Sequence, residues 1–139
     1  AGYEAAEANS PYIDDVILVG QSLGSGVATQ IASVRNVKKL VLLVPFDSLL
    51  ETARGLFPYL PVKLLLPDHF RSDLAAPKVA CPVSILAAGS DEVIPPAHAK
   101  RLRDCFSTPV SYQEFPGAMH NTIWLSPGFD QAFSKSISY

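Results

Sequence analysis

Ser22, Asp91 and His120 are the side chains of this 139-residue sequence whose types and surroundings could act together on a carbonyl carbon. A serine hydroxyl attacks only when a neighbouring imidazole takes its proton, and a carboxylate must then fix the tautomer of that imidazole and stabilise its charged form. Ser22 stands in Gly20-Gln21-Ser22-Leu23-Gly24, where small residues two before and two after would let one side chain project from a sharp turn. The next backbone N–H, that of Leu23, would then point toward a developing oxyanion. Asp91 lies in Gly89-Ser90-Asp91-Glu92-Val93-Ile94-Pro95 and His120 in Pro116-Gly117-Ala118-Met119-His120-Asn121.

Other residues compete for these roles. Asp47 follows a strand-like run closely enough to serve as the acid, whereas Glu92, adjacent to Asp91, is expected to point elsewhere. Among the histidines, His69 falls in an insertion and His98 on a surface helix, and each is expected to be an exposed polar residue. Ser22 could instead be an ordinary turn serine capping a helix, and His120 a loop histidine doing the same, but that would leave Ser22 without a base. Ser25, one turn on, reads as a small packing residue.

The elements that must position these groups are legible as apolar runs. Val16–Val19 is short, continuous and β-branched, the pattern of a strand covered on both faces in a parallel sheet. It leads into Gly20, and Leu23, Val27, Ile31 and Val34 then recur at helical spacing, with Gly24 and Gly26 allowing close approach to the sheet. Leu40–Val44 and Val83–Ala87 repeat the buried-strand pattern, while Val110–Phe115 alternates and is expected near a sheet edge. Helices are expected over Ala97–Phe106 and from Asn121 toward Ser136, the second interrupted at Pro127 and Gly128. The order is βαβ…βαβα, an α/β class with a mostly parallel sheet flanked by helices. Between the second and third strands, residues 47–78 carry Pro58, Pro61, Pro67 and Pro77 around short helical pieces such as Val62–Leu66. That stretch is far longer than a connection of about 2–6 residues and reads as a lid-like insertion within one domain spanning 1–139.

Composition narrows the function classes. A formal charge of -2 gives no basic stripe, so nucleic acid is excluded as an expected partner. The longest apolar runs are well short of the ~20 residues of a membrane span, and the chain is expected in the cytoplasm. Cys81 and Cys105 lack disulfide-scaffold or zinc spacing and are expected as reduced thiols; neither a metal nor another cofactor is expected. Hydrophobic residues make up 48% of the chain against 17% charged, so much surface must be covered. The sequence begins at Ala1, without methionine and inside a polar, helix-like stretch at Glu4–Ser10, which raises the expectation that it starts partway into a longer protein.

With these three motifs in the order Ser, Asp, His, the sequence resembles the carboxyl-terminal half of an α/β-hydrolase. Gly20–Gly26, Pro45-Phe46-Asp47-Ser48-Leu49, Tyr59–Leu66 and Asp91–Pro96 resemble, more narrowly, the prolyl-oligopeptidase-like and serine-aminopeptidase-like branch. The resemblance implies a serine hydrolase of carboxylic esters, thioesters or amides, with a small-molecule acyl substrate and the triad carried by Ser22, Asp91 and His120. It departs at Ala88 and Met119, where the family often has glycine. It departs further in lacking the elements that in complete members precede the nucleophile strand, one loop of which supplies a second oxyanion N–H. The alternative expectation is a non-catalytic fragment or binding module that associates through an open sheet edge at Val16–Val19, with an amino-terminal half or another copy. Lys63, Arg54 and Arg71 are expected as solvated charges.

Overall fold

In a computed structural model, residues 15–56, 59 and 71–138 are described. Four strands form one parallel sheet in the order β1-β2-β3-β4. These are β1 (Ile17–Gln21), β2 (Lys39–Leu43), β3 (Val83–Ala88) and β4 (Val110–Phe115). The helices are α1 (Leu23–Val34), α2 (Leu49–Leu56), α3 (Ser72–Ala75), α4 (Pro96–Cys105) and α5 (Phe129–Ile137). Short 3₁₀ turns cover Ala76–Lys78 and Ile123–Leu125.

The continuous apolar runs arise because both sheet faces are covered. On one face Leu40, Leu42, Val83, Ile85 and Ala87 pack with Ala28 and Ala32 of α1 and Ala99 and Leu102 of α4. On the other, Val41, Leu43, Leu86, Ala88 and Phe115 pack with Ile123 and with Phe129 of α5. In β4 the expected alternation holds: Val110 and Tyr112 face the first cluster and Phe115 the second. Among the described strands β4 lies at one edge of the sheet and β1 at the other.

Some boundaries move. The first strand starts at Ile17 and runs through Gly20 and Gln21, so it delivers the chain directly to Ser22. The last helical stretch divides at Pro127-Gly128, with Gly128 in the left-handed conformation at φ 80°, a region glycine enters without steric cost. The expected helical piece Val62–Leu66, with Lys63 and His69, lies outside the described residues. Because every strand is parallel, the segments after β1, β3 and β4 all leave from the same carboxyl edge of the sheet.

Candidate active site

Gly20 and Ser22 make the turn between β1 and α1. A Cβ on Gly20 would stand 2.5 Å from the carbonyl oxygen of Gly24 and 2.8 Å from Cβ of Ala28, so only glycine lets the strand and helix meet there. At Gly24 the expectation fails: a Cβ there would meet nothing within 4 Å among the described residues. Ser22 has φ 51° and ψ −119°, a strained conformation for a residue with a Cβ, and its N–H donates to Leu43 O at 3.0 Å. Its side chain does not cap α1. Strain is also present beside it in β-branched Val44, with φ 43°, at the end of β2.

The turns bearing the acid and the base are laced together. Gly89 N donates to Phe115 O at 2.9 Å and Ser90 N to Ala118 O at 2.9 Å. A Cβ on Gly89 would lie 3.1 Å from that same Phe115 oxygen, so a larger residue would push the two loops apart. Ala88, at a departure from the family pattern, is buried in the core beneath them.

Asp91 is buried, and its Oδ1 accepts from Val93 N at 2.9 Å and Ile94 N at 2.7 Å. That leaves Oδ2 for Nδ1 of buried His120, at 2.7 Å. An ionised carboxylate only accepts, so Nδ1 carries the proton and Nε2 presents its lone pair. Nε2 is 2.9 Å from Ser22 Oγ, which donates to it. The three side chains singled out in the sequence thus form one hydrogen-bonded chain. Leu23 opens α1, and its N–H lies among the amides that a helix N-terminus leaves without intrahelical partners.

The competing residues are placed differently. Asp47 is buried, but its Oδ1 lies 2.6 Å from His98 Nδ1 and its Oδ2 accepts from Arg101 Nε at 2.7 Å. Burial pushes the Asp47 carboxyl up, but His98 and Arg101 outweigh it and hold the group at about 2. His98 is therefore not the exposed residue expected: its side chain is 12% exposed and locked in this pair. Arg71 likewise forks onto Asp73 at 2.9 and 2.7 Å, whereas Arg54 makes an exposed ion pair with Glu51. Glu92 is exposed and outside the chain of hydrogen bonds. Cys81 and Cys105 are free, and burial pushes both thiols up, so neither is activated. Among the described residues no cluster of ligands could hold a metal, and no helix is long and apolar enough to cross a membrane.

No family model matches the sequence. It is 39% identical over 109 residues to an uncharacterized protein of Mycobacterium tuberculosis, a match covering 78% of this chain and 39% of that one. It is 30% identical over 131 residues to the alpha/beta hydrolase domain-containing protein WAV2 of Arabidopsis thaliana, covering 81% of this chain and 42% of that one. Among solved structures, the acetyl xylan esterase from Paenibacillus sp. R4 superposes with a TM-score of 0.79 at 14% identity, over 98% of this chain and 49% of the other. The chain has the α/β-hydrolase fold and is similar over most of its length to an alpha/beta hydrolase domain-containing protein. It spans about two fifths of the length of the curated relatives it matches. The turns after β1, β3 and β4 carry Ser22, Asp91 and His120 in the chain order of that fold.

Proposed function

We propose that this protein is a serine hydrolase that cleaves a carboxylic ester, thioester or amide through an acyl-enzyme on Ser22. The observation that carries the reading is the hydrogen-bonded chain from Ser22 Oγ through His120, 2.9 Å to Nε2, to Asp91 Oδ2, 2.7 Å from Nδ1. Oγ attacks the acyl carbon while its proton passes to Nε2, and the carbonyl π electrons move onto oxygen. Leu23 N–H, at the positive end of α1, stabilises that oxyanion. The tetrahedral adduct collapses, the bond to the leaving heteroatom breaks with its electron pair, and Nε2–H protonates that atom. Water then attacks the acyl-enzyme by the same route, returning the proton to Ser22. Asp91 stays ionised throughout and holds the imidazole. The scheme uses no cofactor.

The prolyl-oligopeptidase-like branch, the lid role of residues 47–78 and a cytoplasmic location remain with the motif resemblance and composition. A fluorophosphonate probe is expected to label Ser22 in the full-length protein and not in Ser22→Ala, read by mass spectrometry of the labelled peptide. A folded protein that stays unlabelled overturns the reading.

A second reading, association through the β1 edge, is favoured by a separate observation. Val19, Leu23, Val27 and Val34 are 46–72% exposed along β1 and α1, beside a strand that pairs only with β2 among the described residues. An unpaired edge flanked by apolar side chains offers another copy of the chain both backbone and side-chain partners.

A further inference from the structure

A cavity of about 160 Å³ is lined by His120, by Glu92 and Val93 after β3 and by Met119, Asn121 and Thr122 after β4. Its lining is mostly apolar. Val93 and Met119 are 44% and 51% exposed although they flank a buried histidine, so the apolar surface at this point is open to a bound group. A dry cavity of about 150 Å³ accepts benzene, which sets the scale of what fits.

In acylation Nε2–H must come within about 2.6–3.2 Å of the leaving heteroatom, so the substituent on that atom lies against the imidazole. The cavity lies beside that histidine. Glu92 adds a charge to it. The other carboxylate of the loop, Asp91, is engaged by His120, Val93 and Ile94, while Glu92 is exposed and has no ion pair among the described residues.

We infer that this cavity is the leaving-group site and selects a compact apolar group, up to about one aromatic ring, that bears no negative charge. The inference rests on the acyl-enzyme reading and adds the substrate class. Val93 and Met119 supply the apolar contact, and Glu92 repels an anion and attracts a cation.

The test uses butyrate esters of benzyl, 4-carboxybenzyl and 4-(aminomethyl)benzyl alcohol with the full-length protein. All three form the same acyl-enzyme, so differences in kcat/KM report binding and acylation with only the leaving group varied. The benzyl and aminomethyl esters are expected to exceed the carboxybenzyl ester by about tenfold, and Glu92→Gln to narrow that gap to about threefold. Met119→Trp, which fills the cavity, is expected to lower kcat/KM for the benzyl ester relative to methyl butyrate by about tenfold. A kcat/KM indifferent to leaving-group charge, or a charge preference untouched by Glu92→Gln, overturns the inference. So does a benzyl-to-methyl ratio unchanged by Met119→Trp. If Ser22 labels with the fluorophosphonate while these ratios fail, the pocket assignment alone falls. If Ser22 does not label, both fall.

Discussion

At the residue scale the site depends on one imidazole with both nitrogens committed. The carboxylate of Asp91 receives two backbone N–H bonds on one oxygen and Nδ1 on the other, so the ring cannot turn without breaking the shorter of its two contacts. Asp91→Asn keeps the shape but presents an amide N–H where an acceptor is needed, which favours the wrong tautomer of His120. Turnover of a benzyl ester by the full-length protein is expected to fall by about 10⁴, with substrate affinity little changed. The measurement is kcat and KM for the variant and the parent. A loss of less than tenfold would remove Asp91 from the orienting role. Gly-x-Ser-x-Gly announced Ser22, but only one of its two glycines has a steric reason in the described structure. Gly20 has no room for a Cβ, and Gly24 has open space.

At the element scale, the sequence left Asp47 open as an acid and placed His98 on the surface; tertiary contact joined them. Asp47 follows β2 and His98 lies in the first turn of α4, 51 residues on, so no local pattern could pair them. Asp47 O also accepts from Asp73 N at 2.9 Å, and Ser48 bridges to Arg71. The feet of the segment between β2 and β3 are therefore pinned together and onto α4. The Asp47 carboxyl sits at about 2 in the fold against an ordinary 3.8. A depressed carboxyl stabilises the fold above its ordinary value, and that contribution disappears as pH falls through the folded value. The shift corresponds to about 2 kcal/mol. Asp47→Asn is expected to lower unfolding free energy by about that amount at pH 6, and the gap from the parent should close between about pH 4 and pH 2. Denaturant unfolding at a series of pH values checks it; a gap constant down to pH 2 would contradict the assignment.

At the scale of the whole molecule, the two sheet faces differ from the β1 edge. Both faces are closed by helices, while Val19, Leu23, Val27 and Val34 leave an apolar stripe beside a strand with one described neighbour. A 139-residue chain prepared by itself is expected to associate, its mass by light scattering rising above the monomer value with concentration. Charges placed in the stripe, as in Val27→Glu with Val34→Lys, should return it to monomer. A monomer at high concentration in the parent would mean the stripe drives no association.

The sequence by itself determined the α/β class, the four strands, the edge character of Val110–Phe115 and which polar side chains follow the strands at the carboxyl edge. Those features follow from local physics: a run buried on both faces must be continuously apolar, and a sharp strand-to-helix turn must be built from small residues. Tertiary structure decided what lies far apart in the chain. It joined Ser22 to His120 across 98 residues, chose Asp91 over Asp47 as the partner of that imidazole, and buried His98 in a second pair. It also put positive φ on Val44, which its β-branched side chain argues against. Pairing, strain and desolvation depend on which turns the parallel sheet brings together, and that is a property of the register between strands.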